Sequence, residues 1–197
     1  KTPAGNLLLP TEMLANDASA ATRKDAKLAV TLTKKEESLK VALALNGKDY
    51  SWSNLRAPVK IETAYKPNDA MKNAACIIVK DGEGNILPSG KYENGGIAVY
   101  ATKLGGEYTI FYNEKTFADL DKHPWANEAI VGLAARGIIN GTGESTYSPA
   151  SNITRADFIS LVVRALGFQA EAAENFSDVS ANAYYAKEVG TAKALGI

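Results

Sequence analysis

The sequence predicts an α+β protein in two domains: an antiparallel β-sandwich-like module over residues 26–113, followed by helical repeats from residue 114 onward. Three observations carry this expectation. Apolar residues recur every second position through the first part, which sets alternate side chains on a buried and a solvated face. After residue 114 they recur at helical spacing instead. The helical part also matches itself at an offset of 59 residues.

Residues 1–25 read as a lead-in segment, in which "PTEMLANDASAATRKD" at 10–25 is one short helix or a loop. The alternating runs then begin. Leu28, Val30 and Leu32 are followed by Leu39, Val41, Leu43 and Leu45, then by Val59 with Ile61 and Ile77 with Val79. Ile97 with Val99, and Tyr108 with Ile110 and Tyr112, complete the series. Turn sequences separate the runs: "NGKD" at 46–49, "DGEGN" at 81–85, "ENGG" at 93–96 and "LGGE" at 104–107. Six to eight short antiparallel strands so spaced suggest a sandwich.

A first helix is expected over 125–136, with Trp125, Ala129, Ile130, Leu133 and Ala134 on its apolar stripe and Gly137 as its stop. A second is expected over 155–166, with Phe158, Leu161, Val162, Ala165 and Leu166 on one side. Thr154 is a good N-cap for it, Asp157 comes close to completing a capping box, and Gly167 closes it. A third helical stretch covers about 183–195. Phe117, Asp119, Gly137 and Ile138 recur as Phe176, Asp178, Gly196 and Ile197, and Tyr184 stands where the first copy has Trp125. The first repeat is therefore placed at 114–174 and the start of a second, truncated one at 175–197. Such a unit buries too little alone and expects neighbours.

Composition narrows the functions. Twenty-two basic residues balance twenty-two acidic ones, and no Lys/Arg cluster is interleaved with aromatics, so nucleic acid is not an expected partner. One cysteine and one histidine exclude an intrachain disulfide and a Cys/His zinc site. Cys76, within "AACIIV", reads as a small buried hydrophobe. "NGTGESTYSP" lacks the alternating acidic ligands of a calcium loop, and neither metal nor cofactor is expected. No run approaches the ~20 apolar residues of a membrane span, so no membrane insertion is expected. The opening "KTPAGNLLLP" has neither an initiator Met nor a signal-peptide pattern, which reads as a piece of a longer protein.

The string "FADL…W…AIVGLAARGIINGTGESTYSPASNITRADFISLVVRALGF" resembles the S-layer homology domain: Phe-x-Asp, a Trp-led helix, Gly-Ile-Ile-x-Gly, aromatic-x-Pro, then Ile-Thr-Arg-Ala-Glu. The resemblance covers residues 117–167, and the opening of a second copy fits 176–197. The β half is similar, through "LPSGKYENGGIAVYATKLGGEYTIFYNEKTF", to the β-rich module that often precedes such repeats in Gram-positive surface proteins. The resemblance implies a pseudo-threefold helical bundle, incomplete here. Its grooves would bind secondary cell wall polymer, a glycan attached to peptidoglycan and often pyruvylated. It also implies an extracellular place at the cell wall or S-layer, no enzyme activity in this stretch, and self-association through further repeats. The alternatives are a structural, self-associating S-layer component and an accessory part of a secreted glycan-cleaving enzyme.

The glycan-binding candidates are Arg155, Trp125, Asp119, Thr154, Gly141, Asp178 and Tyr184. Arg155 opens a helix, where the macrodipole disfavours a cation, so something else must want it there. Its paired donors match a carboxylate such as a pyruvyl group, and the helix N-terminus adds N–H donors to the same anion. Otherwise it bridges to Asp119 or Asp178. Trp125 offers a face to a sugar ring or packs in the core, the second being preferred. Asp119 and Asp178 accept sugar hydroxyls or cap the helices that follow, and capping is preferred. Gly141, Thr142 and Gly143 let the backbone approach a ligand, or simply make a tight turn. Asp157 stands where the family has Glu, one methylene shorter, which argues against a contact from it to a sugar or a neighbouring repeat.

Overall fold

The computed structural model describes residues 1–10, 25–54, 58–170 and 174–197, so the helix-or-loop segment of the lead-in lies almost wholly outside the described residues. The chain divides into two compact units, Lys1–Asn113 and Glu114–Ile197.

The first unit is all antiparallel. Its strands are β1 (Asn6–Leu8), β2 (Leu28–Lys35), β3 (Ser38–Leu45), β4 (Lys48–Asp49), β5 (Trp52–Ser53) and β6 (Val59–Ala64). They continue as β7 (Ile77–Lys80), β8 (Ile86–Leu87), β9 (Lys91–Glu93), β10 (Gly96–Ala101), β11 (Lys103–Leu104) and β12 (Glu107–Tyr112). One sheet has the order β1-β6-β10-β9, and a larger one β2-β3-β12-β7-β8 with β4 beside β3; β11 and β5 form a two-stranded ribbon. The hairpin between β9 and β10 turns on Asn94 and Gly95, both at positive φ (51° and 77°) as a tight primed turn demands.

The alternation of the sequence becomes the core of this unit. Leu32, Leu39, Val41, Leu43, Ile77, Val79, Tyr108 and Ile110 of the larger sheet and Val59, Ile61, Ile97 and Val99 of the smaller one form one buried cluster. Two sheets thus share a single apolar layer, the arrangement by which antiparallel sheets bury one face each. Two details differ from expectation. Residues 6–8, within the lead-in, form strand β1 at an edge of the four-stranded sheet; "NLL" is too short to show a period. In β7 the residues Ile77, Ile78 and Val79 are all buried, because this inner strand is covered on both faces and so loses its alternation.

The second unit contains α1 (Pro124–Ala135), α2 (Arg155–Leu166) and α3 (Ala186–Leu195). Pro124 occupies the first turn of α1, where its missing N–H costs nothing. The offset of 59 residues reappears as local geometry. Gly137 and Gly196 take left-handed φ of 69° and 72°, and Ile138 and Ile197 donate to Leu133 and Ala192 carbonyls, both at 3.0 Å.

Which stripe of each helix is covered differs from the expectation. On α1 the buried residues are Ala126, Ile130, Val131, Gly132, Ala134 and Ala135, whereas Trp125 is 80% exposed and Ala129 is exposed. The preferred core reading of Trp125 is therefore overturned: with Ala129 it lies about 100° around the helix from the buried Ala126 and Ile130. On α2 the buried residues are Ser160 and Val163, and the expected stripe leaves Phe158, Ala165 and Leu166 exposed. Packing between α2 and α3 runs along the adjacent face, through Arg164.

Candidate functional site

The loop that joins α1 to α2 is held by the segment that leads into α1. Ala118 donates its N–H to the carbonyl of Ser145 (2.8 Å), and the Phe117 ring tilts against Tyr147 at 5.7 Å between centroids. The Asp119 carboxylate accepts the N–H of Tyr147 (3.0 Å) and that of Ser148 (2.6 Å). These two backbone donors, Tyr147 first, hold its carboxyl below the usual aspartate range. Asp119 occupies the N-cap position of a short 3₁₀ turn without capping it through its side chain, so the capping reading gives way to a loop clamp. Asp178 is exposed and caps no helix among the described residues; the counterparts of Tyr147 and Ser148 would fall beyond Ile197.

Gly141 lies inside that clamped loop. A Cβ there would stand 2.6 Å from the Thr146 carbonyl oxygen, 2.8 Å from that of Gly143 and 3.1 Å from the Phe117 ring. The turn is closed by Thr142 N–H donating to the Thr146 carbonyl at 2.8 Å. Space within the turn is thus the reason for glycine at this position.

The start of α2 is a complete capping box. Thr154 Oγ1 accepts the N–H of Asp157 (3.1 Å), and Asp157 Oδ2 accepts both the N–H and the hydroxyl of Thr154, each at 2.8 Å. Tyr184 donates its hydroxyl to the other oxygen, Oδ1, at 2.5 Å. Asp157 does reach beyond its own repeat, because the tyrosine brings its hydroxyl across. Tyr184 and then Thr154 hold the Asp157 carboxyl below the usual range, and the carboxylate in turn raises the Tyr184 phenol. Nothing in the sequence pairs residues 157 and 184; only the fold does.

Arg155 is exposed, and among the described residues it forms no ion pair, so the bridge to Asp119 or Asp178 is not formed. As the first residues of α2, Arg155 and Ala156 have backbone N–H groups without an intrahelical partner. The cap therefore brings Thr154, Arg155, Asp157 and Tyr184 together at one helix end. Asp119 and Gly141 meet in the preceding loop, and no hydrogen bond joins the two groups among the described residues. Tyr184 is 68% exposed, so its ring remains open to solvent although its hydroxyl is engaged.

Residues 116–159 match the model of the S-layer homology domain. They are an S-layer homology domain. The match contains the Phe117–Asp119 clamp, α1, the loop and the first turn of α2. An S-layer homology domain is a non-catalytic anchoring module and indicates an extracellular, cell-surface location. No helix among the described residues is long and apolar enough to cross a membrane.

The chain is 35% identical over 105 residues to an amylopullulanase of Thermoanaerobacterium thermosulfurigenes, covering 53% of this chain and 6% of that protein. It is 37% identical over 117 residues to endo-1,4-beta-xylanase A of Thermoanaerobacterium saccharolyticum, covering 59% of this chain and 9% of the relative. A surface-layer 125 kDa protein of Lysinibacillus sphaericus is 33% identical over 73 residues, covering 37% of this chain and 6% of that protein. The chain thus spans less than a tenth of the length of each. The xylanase alignment is longer than the whole unit holding the S-layer homology domain, so the likeness extends into the β unit. No solved structure matches the chain at a significant level.

Proposed function

We propose that the helical unit anchors a larger protein to the cell wall by binding secondary cell wall polymer, with Arg155 as its anion-binding group. The observation that carries this reading is an exposed arginine, free of any ion pair among the described residues, at a helix start already capped by Thr154 and Asp157. Because the cap is complete without it, Arg155 is not needed to finish the helix. Arg155 offers paired N–H donors at the helix end where the amides of Arg155 and Ala156 have no intrahelical partner, and a carboxylate is an anion that matches such donors. A pyruvylated sugar supplies that carboxylate.

Trp125 and Tyr184 present rings on which apolar sugar faces stack. Thr154 positions Arg155 and lies within reach of a ligand there; Asp119 and Gly141 shape the loop beside it, and Asp178 offers an exposed acceptor. Self-association through further repeats accompanies anchoring. The relatives named as an amylopullulanase and a xylanase favour a second reading of the whole: an accessory part of a glycan-cleaving enzyme, tethered by this module.

Pull-down with purified Gram-positive sacculi tests the anchor. Binding lost on stripping the wall polymer and lost in Arg155→Ala is expected. Binding indifferent to both removes the proposal, and release of soluble glycan favours catalysis instead.

A further inference from the structure

Of the N–H groups that open α2 without an intrahelical partner, those of Thr154 and Asp157 are taken by the capping box. Those of Arg155 and Ala156 have no hydrogen-bond partner among the described residues. A carboxylate in the first turn is itself an anion that such donors attract, and Asp157 is one. Both of its oxygens are engaged elsewhere. Oδ2 accepts the N–H and the hydroxyl of Thr154, each at 2.8 Å, and Oδ1 accepts the hydroxyl of Tyr184 at 2.5 Å. The Thr154 contacts complete the box by themselves, so the Tyr184 bond is not needed to start the helix. Tyr184 comes from the segment that leads into α3. Its ring meets that of Tyr185 edge-on at 5.0 Å, Tyr185 is the N-cap position of α3, and Glu188 of α3 accepts the Nε–H of Arg164 on α2 at 2.8 Å.

We propose that Tyr184 is a positioning residue for the anion site at the start of α2: by holding Oδ1 it keeps the Asp157 carboxylate off the free amides of Arg155 and Ala156, and leaves them to the carboxylate of the glycan. The inference rests on the anchoring reading, because only an anionic ligand competes with Asp157 for those donors. Its donors, Tyr184 first, hold the Asp157 carboxyl below the usual range, so the side chain stays charged beside the site. Once Oδ1 loses the phenol, that charge is an internal competitor for the ligand. Tyr184→Phe isolates the role, since the ring offered to a sugar stays and only the hydroxyl goes.

Calorimetric titration of the 197-residue chain with purified, pyruvylated wall polymer tests it, alongside amide proton–nitrogen NMR spectra of each protein without ligand. The variants are Arg155→Ala, Tyr184→Phe, Asp157→Asn and the last two combined. Tyr184→Phe is expected to bind roughly 3- to 10-fold more weakly, the worth of one hydrogen bond. Asp157→Asn is expected to raise affinity more in the Tyr184→Phe background than in wild type, because a neutral amide does not compete for anion donors. Loss of a negative charge alone raises both equally. Without ligand, the amide protons of Arg155 and Ala156 are expected to move downfield in Tyr184→Phe but not in the combined variant, and the same spectra show that each protein is folded. Unmoved amides, an equal gain from Asp157→Asn in both backgrounds, or Tyr184→Phe binding within about twofold of wild type overturns the proposal. Arg155→Ala binding like wild type overturns the anchoring reading instead, and the unliganded amides then still decide whether Tyr184 holds Asp157 off the helix start.

Discussion

Replacing Gly141 by alanine should unlock the loop that precedes α2. The added methyl carbon would stand 2.6 Å from the Thr146 carbonyl oxygen and 2.8 Å from that of Gly143. An ordinary carbon–oxygen contact is about 3.3 Å or more, so the chain must open by roughly 0.7 Å. Both neighbours are backbone, and neither can swing aside. Overpacking of this kind costs about 1–3 kcal/mol, and the Thr142–Thr146 bond that closes the turn adds about 1 kcal/mol if it is lost. A total of about 2–4 kcal/mol lowers the melting temperature of a unit this size by roughly 8–30 °C. Gly143→Ala is the control: its one close neighbour is the Thr146 hydroxyl at 2.8 Å, the end of a side chain that rotates away. Urea and thermal unfolding followed by circular dichroism read both variants. Gly141→Ala within 0.5 kcal/mol of wild type (about the scatter of a surface change), or no more damaging than Gly143→Ala, refutes the steric reasoning.

Two other outcomes follow from buried groups. Ser160 Oγ is buried with no hydrogen-bond partner among the described residues, so Ser160→Ala should stabilise the helical unit by about 1 kcal/mol, read by urea unfolding. A loss of stability instead would mean that the hydroxyl has a partner. Tyr108 donates its hydroxyl to the Lys103 carbonyl (2.6 Å), and burial pushes its phenol up to about 12. A folded value above the unfolded one gives stability that is complete below about pH 10 and lost as the pH rises toward 12. Ultraviolet titration of the phenolates should show a late step at about 12, and Tyr108→Phe should remove that step.

The strands and helices were legible because their periods differ, and the signals at Thr154, Asp157 and Gly167 fixed α2 to the residue. Exposure was less legible. Helical spacing shows that Phe158, Leu161, Val162, Ala165 and Leu166 share a face, but not that the buried residues are Ser160 and Val163 and that Arg164 meets the neighbouring helix. Trp125 misled for the same reason, since apolarity names a stripe and tertiary contact decides which stripe is covered. The role of Asp119 was hidden because its partners, the amides of Tyr147 and Ser148, lie 28 and 29 residues away and are backbone groups that no side-chain pattern reveals. The same holds for Asp157 and Tyr184, separated by 27 residues.

The claim that Arg155 is the anion-binding group is tested most directly by calorimetric titration of the protein with purified, pyruvylated wall polymer. A charge-assisted hydrogen-bond pair contributes about 1.5–3 kcal/mol, so Arg155→Ala should weaken binding by roughly 10- to 150-fold. Arg155→Lys should recover only part of that loss, because an ammonium cannot present paired donors. An Arg155→Ala variant that binds the polymer within twofold of wild type would contradict the account.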